Sequence, residues 1–294
     1  MDVVRFKCNL GNQLFQYALY QALKFKGRKV KASLGYYQRH PEKTQFCLAE
    51  VFPKIELVYI SDEEFDLIDS KWKKIKTDQE ALKVFLHDYK NRFFWVEEKD
   101  FQYRPEVFET RNCVFVGFWQ SEKYFSTIKD ILLDDLHFSY GEDKLNKLRK
   151  RFLDRDDYIA VHIRRGDYLN HPEVWGKISE TKYYRNAIHY IEQRIIKPKW
   201  VFFSDDIQWV KAKYNYDNAI YIEENMFDDY KPWYDMCLMS CCSHNIIANS
   251  SFSWWGAWLN RNEEKIVIAP EIWFFDGRGE RDICPDNWKR IAIV

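Results

Sequence analysis

The sequence predicts an α/β protein, with parallel sheets wrapped by helices and two halves along the chain. Three observations carry that expectation. The amino-terminal residues run strand, glycine-containing loop, helix. The second half alternates strands and helices with little interruption, the pattern of a parallel sheet with helical crossovers. Residues 158–168, Tyr-Ile-Ala-Val-His-Ile-Arg-Arg-Gly-Asp-Tyr, read as an apolar strand that delivers His162, Arg164, Arg165 and Asp167 into a loop, where open α/β sheets bind their ligands. A chain of 294 residues can bury one large core or two ordinary ones. The polar run Asp154–Asp157 divides it into 1–153 and 154–294.

In the first half, Val3–Phe6 is a brief strand and Cys8–Asn12 a tight loop. Leu14, Phe15, Ala18, Leu19, Ala22 and Leu23 then recur with helical period over Gln13–Lys26. The charged stretch from about Asp62 to Asp100 predicts solvated helices. Val114–Val116 is a strand leading into Gly117-Phe118-Trp119-Gln120-Ser121, and Lys144–Phe152 a helix. In the second half, strands are expected at 159–163, 200–203, 219–222, 244–248 and 265–269. Helices are expected at 181–196, 207–214, 232–242 and 252–259, the third with Pro232 at its start, where a missing N–H costs nothing.

Forty-five Lys and Arg against forty-five Asp and Glu leave no global field to draw nucleic acid or anionic lipid. Twelve tryptophans are compatible with the flat apolar faces of a sugar cleft as well as with cores. No run is long enough to span a membrane, and Met1 leads straight into a strand with no signal-peptide pattern, so a soluble cytoplasmic protein is expected. Seven cysteines, mostly in apolar surroundings, suit reduced thiols. Cys237, Cys241, Cys242 and His244 read as buried small residues rather than a zinc site, because adjacent Cys241 and Cys242 diverge around a helix.

Two guanidiniums in one loop suit phosphate, since Arg stays charged and its planar fork matches phosphate oxygens in pairs. Two further loops at strand ends carry suitable groups. Ser204-Asp205-Asp206 offers paired carboxylates to a ribose or sugar hydroxyl, or else caps a helix. Asn249-Ser250-Ser251-Phe252-Ser253 offers hydroxyls and backbone N–H groups at a helix start, a metal-free way to hold phosphate, or again a cap. Asp235 can accept from a guanine edge or lie on the surface. Gly11-Asn12-Gln13 presents two carboxamides at a helix start, and Trp119 and Gln120 either contact an acceptor sugar or pack inside. Neither a P-loop nor a Gly-x-Gly-x-x-Gly fingerprint occurs, which disfavours nucleoside triphosphatases and dinucleotide dehydrogenases.

Four of these segments, Leu10-Gly11-Asn12-Gln13-Leu14-Phe15-Gln16-Tyr17-Ala18, His162-Ile163-Arg164-Arg165-Gly166-Asp167-Tyr168, Phe203-Ser204-Asp205-Asp206 and Asn249 through Leu259, together closely resemble the α-1,2-fucosyltransferases of glycosyltransferase family 11. Gly117–Ser121 with Tyr124-Phe125 is similar to that family too. The resemblance runs in order along nearly the whole chain. It implies a GT-B fold, two Rossmann-like domains facing a cleft, with 1–153 on the acceptor side and 154–294 binding GDP-β-L-fucose. It also implies inverting transfer of L-fucose to the 2-hydroxyl of a terminal galactose, in bacterial surface glycans such as lipopolysaccharide O-antigen. The implied location is the cytoplasm, with peripheral association at the inner face of the membrane.

By that resemblance Arg165 neutralises the β-phosphate with Arg164 beside it, His162 bonds to the nucleotide, Asp235 reads guanine, and Ser250 and Ser251 hold the diphosphate. Gly11, Asn12, Gln13, Ser204, Asp205, Asp206, Asn249, Phe252 and Ser253 complete the donor-site candidates. Asn9 stands where the family usually has a glycine, in a loop that calls for dihedral freedom. The arginine charges can do what Mg²⁺ does elsewhere, so no metal or cofactor is expected. Asp167 and Glu173 are the candidates for a general base. Competing readings are a GDP-fucose-dependent transferase of α-1,6 or protein O-linked type, and a non-catalytic glycan-binding protein. The sequence sets no oligomeric state.

Overall fold

A computed structural model of the chain describes residues 1–65, 94–98, 100–138, 143–155 and 157–294. They form two units, Met1–His137 and Phe138–Val294, each built on an all-parallel sheet, as the two halves of a GT-B chain require.

In the first unit, β1 (Asp2–Arg5), β2 (Val30–Ser33), β3 (Phe94–Glu97) and β4 (Cys113–Val116) lie in the order β2-β1-β4-β3. Helix α1 (Leu10–Phe25) follows β1 and is buried on most of its surface, including Gln13 and Gln16. Such a helix must satisfy its polar groups internally. It starts three residues earlier than Gln13. Asn9, expected to need dihedral freedom, is ordinary extended backbone at φ −80°, and the left-handed residue is Cys8 at φ 64°. Cys8 is held there because its carbonyl accepts from both Gln13 Nε2 and Tyr37 Oη. A short helix α2 (Lys129–Asp135) lies near the end of the unit.

Strand β3 falls inside the charged stretch for which solvated helices were expected. Pairing with β4 makes it a strand despite its Lys- and Glu-rich surroundings. Residues 62–65 of that stretch are helical as expected, and residues 66–93 and 99 lie outside the described residues.

In the second unit, β5 (Tyr158–Ile163), β6 (Lys199–Ser204), β7 (Ile220–Tyr221), β8 (His244–Ile246), β9 (Val267–Pro270) and β10 (Lys289–Ile291) lie in the order β10-β9-β8-β5-β6-β7. Helices α3 (Asp143–Leu153), α4 (Tyr183–Glu192), α5 (Ile207–Lys213), α6 (Trp233–Cys241) and α7 (Ser251–Trp258) accompany them. The units divide at 137/138 rather than 153/154, because α3 packs on α6 and its Phe152 ring sits 4.9 Å from Tyr158 of β5. Ile159, Val161, Tyr184, Phe202, Ile246 and Ile268 anchor a core against α4. Strand β5 pairs with β6 on one side and β8 on the other. The chain's direction across the sheet reverses there, and the crevice beyond the carboxyl ends of β5 and β8 is the place where doubly wound sheets bind ligands.

Candidate active site

The arginine loop leaves β5 at this switch point. Arg164 is braced by two carboxylates: its Nε and Nη2 donate to Asp167 Oδ1 at 3.0 and 2.7 Å, and Nη1 lies 3.1 Å from Asp205 Oδ2. Burial works against its charge, but Asp205 and Asp167 outweigh it, so the guanidinium pKa is raised. A guanidinium has five N–H donors. After these three contacts, two have no partner among the described residues, and the side chain is 33% exposed.

Arg165 points the other way. Its side chain is 9% exposed, with Nε donating to Asp206 at 2.9 Å and Nη1 to Ser179 Oγ at 3.1 Å, and its guanidinium centre lies 3.7 Å from the Trp209 ring centroid. Such a stacked contact contributes roughly 0.5–2 kcal/mol. Its backbone N–H donates to Asp205 Oδ1 at 2.9 Å. Gly166 follows because a Cβ there would lie 2.5 Å from Asp205 Oδ2.

The aspartates after β6 are thus committed within the protein. Asp205 grips both arginines, while Asp206 caps α5 by accepting from Trp209 N and holds Arg165 with its other oxygen. Ser204 Oγ accepts from Asp206 N. Of the two readings of this loop, the cap is present, and the carboxylates face arginines.

At the end of β8, Asn249 is structural: its amide donates to the Trp175 and Trp273 carbonyls, and its own carbonyl accepts from Tyr168 Oη at 3.1 Å. Tyr168 stacks on Trp175, tying the arginine loop to this one. Ser250 is the N-cap of α7, accepting from Phe252 N, and Ser253 donates to the Ser250 carbonyl. Ser251 and Phe252 are half-buried at the first turn. A helix start leaves N–H groups without intrahelical partners and carries partial positive charge. His162 on β5 faces Phe252 at 5.9 Å. It is 6% exposed, its Nδ1 meets no partner among the described residues, and burial followed by Arg164's charge lowers its pKa to about 3, so the ring is neutral.

Asp235, in the first turn of α6, has a buried Oδ1 with no partner among the described residues. Burial raises its pKa to about 7 against the hydrogen bond from Tyr230. Glu173 is exposed on the turn Pro172–Trp175 and contacts His171, and Asp167 braces Arg164.

The first unit gathers its own polar edge at the carboxyl ends of β1, β3 and β4. Gln13 donates to the Cys8 and Gln45 carbonyls and accepts from Cys47 N, so it serves the loop itself. Asn12 Oδ1 accepts from Gln120 at 2.7 Å, next to Gly11 at the start of α1. Trp119 is 1% exposed, packed edge-on against Phe115 and Tyr124, which settles its two readings in favour of the interior. Sequence reasoning passed over Glu98, whose carboxylate accepts from Phe118 N at 2.6 Å and Trp119 N at 3.0 Å. Its signal in the sequence was slight: one acid among many in a charged stretch.

Among the described residues no group of His, Cys, Asp and Glu could hold a metal ion, and no helix is long and apolar enough to cross a membrane. An α-1,2-colitosyltransferase of Escherichia coli is 31% identical over 98% of this chain and 98% of its own length. The O-antigen biosynthesis glycosyltransferase WbnK, also of Escherichia coli, is 30% identical over 95% of this chain and 96% of its own. Galactoside α-(1,2)-fucosyltransferase 1 of Lagothrix lagotricha is 25% identical over 61% of this chain and 52% of its own. Among solved structures, fucosyltransferase NodZ from Bradyrhizobium is similar at a TM-score of 0.49 and 13% identity, covering 87% of this chain and 92% of that one, a likeness too slight to argue from. The family described as glycosyl transferase family 11 matches residues 2–292, and with two relatives at 30% identity or more along almost the whole chain, the protein belongs to that family.

Proposed function

We propose that the protein transfers L-fucose from GDP-β-L-fucose to the 2-hydroxyl of a terminal galactose, with inversion and without a metal. The observation that carries this reading is the braced, half-open guanidinium of Arg164 at the switch point beside the amino terminus of α7. A leaving nucleoside diphosphate gathers negative charge as the sugar departs. Fixed donors that need no reorganisation stabilise that charge.

On this reading the two arginines exchange the roles that the resemblance suggested. Arg164 takes the β-phosphate, because two of its donors are uncommitted. Arg165, covered by Trp209 and bound to Asp206 and Ser179, anchors the loop. The first-turn amides of α7 and Ser251 hold the other phosphate oxygens, with Ser250 shaping that turn. Neutral His162 offers a ring nitrogen to the nucleotide, and Asp235 uses its unpaired oxygen for the guanine edge. The N-terminal unit serves the acceptor. Activity on a lipid-linked surface glycan would bring the protein to a membrane peripherally.

The colitosyltransferase relative supports a second donor. Colitose is L-fucose without its 3-hydroxyl, and a site that hydrogen-bonds a hydroxyl discriminates strongly against an analogue lacking it. Incubation with GDP-fucose or GDP-colitose and a β-galactoside, followed by linkage analysis of the product, tests both readings. GDP release with an α-1,2-linked fucoside supports the first. Turnover of GDP-colitose alone supports the second, and no GDP release from either donor refutes both.

A further inference from the structure

We infer that Tyr168 is a positioning residue, which locks Arg164 and the amino terminus of α7 into a single frame for the two phosphates of the donor. The inference rests on the transferase reading above and assigns a role to a side chain that reading leaves unused. All of its parts lie within the second unit. After the arginines, Asp167–Asn170 forms a helical turn, closed by Leu169 N donating to the Arg165 carbonyl at 2.9 Å. The turn brings Tyr168 back beside Arg164, with the guanidinium carbon 5.6 Å from the ring centroid, within the range of a cation–π contact.

Three contacts then close a circuit. The Tyr168 ring stacks on Trp175 with centroids 4.5 Å apart and planes 8° from parallel. The Trp175 carbonyl accepts from Asn249 Nδ2 at 3.2 Å, and the Asn249 carbonyl accepts from Tyr168 Oη at 3.1 Å. Burial raises the Tyr168 pKa against the charge of Arg164, so the hydroxyl stays protonated and can donate. Phe275 N, donating to the Val174 carbonyl at 2.9 Å, and the Phe274 ring, 5.3 Å from that of Trp175, hold the far side of the circuit. Asn249 directly precedes Ser250, the N-cap, so the circuit fixes the direction of the first-turn N–H groups of α7. Those of Ser251 and Ser253 meet no acceptor among the described residues.

Donors on two separate loops act together on one diphosphate only if their separation is fixed before the ligand arrives. With the circuit closed, a ligand held at α7 through one phosphate presents the next to Arg164 at high effective concentration. With it open, each contact carries its own ordering cost. The effect of Tyr168 therefore falls on ligands that span both elements and spares one that reaches α7 alone.

GDP and GMP separate the two cases, since only the first carries a β-phosphate for Arg164. The test is calorimetry of both nucleotides with wild type and with Tyr168→Phe, which keeps the ring and removes the hydroxyl. Expected is a preference for GDP over GMP reduced by roughly 3–10-fold, the worth of one hydrogen bond, with GMP affinity unchanged. Equal weakening of both ligands, as from a merely structural role, or an unchanged preference would overturn the inference. If Tyr168→Phe does not fold, Trp175→Leu opens the circuit at the stacking contact and is read by the same outcomes. Wild type that binds neither nucleotide, or binds GDP no better than GMP, would instead refute the phosphate site of the transferase reading.

Discussion

A pair of adjacent arginines divides its labour because consecutive residues leave a strand end in opposite directions. Arg164 is turned to the opening and Arg165 to the interior. Arg164→Ala should therefore weaken GDP binding at least tenfold by calorimetry with little change in melting temperature. Arg165→Ala should instead lower the melting temperature, since it strips Asp206 and Trp209 of their partner. The opposite pattern would restore the roles the resemblance suggested. Asp235 makes a pH prediction. Its raised pKa means the carboxyl is protonated below about 7, and only the ionised form accepts from both guanine N–H groups. GDP affinity should fall as pH drops through 7, and Asp235→Asn should remove that dependence. At this scale the sequence revealed residue types but not their direction. Gln13 and Asn249 looked like ligand groups and are spent on backbone, and Asp206 divides its oxygens between the Trp209 N–H and Arg165, because buried loops must satisfy their own polar groups first.

At the scale of elements, three loops converge because β5, β6 and β8 are parallel neighbours whose carboxyl ends share one edge. Their strands and helices were legible from apolar runs and helical period, and the motifs fell where the sheet order needed them. Strand β10 was not legible, since Lys289–Ile291 is short, polar and made a strand only by pairing with β9. The same holds for β3. Gly166 shows how tightly the loops fit. Gly166→Ala should displace the Asp205 carboxylate, costing about 1–3 kcal/mol of stability, and weaken GDP binding through Arg164. Unchanged chemical denaturation and calorimetry would contradict that coupling. Ser250→Ala should cost about 1 kcal/mol through loss of the α7 cap.

For the whole molecule, two parallel-sheet units were legible in the alternation of elements. The position of the division was not, because α3 is assigned by what Leu145 and Phe152 pack against rather than by composition. Family membership follows from similarity along nearly the full length, and the proposed phosphate site rests on the switch point of the second unit. The proposal that Arg164 and the α7 amino terminus supply the charge makes EDTA a simple test at this scale. The rate of GDP release should be unchanged by chelation, and strong inhibition reversed by Mg²⁺ would contradict a metal-free site. The most direct measurement is the structure of a crystal soaked with GDP. The diphosphate is expected within hydrogen-bond distance of Arg164 and the first turn of α7. A ligand seated away from both, or in contact with Arg165 while Arg164 stays bound to Asp167 and Asp205 alone, would contradict the account.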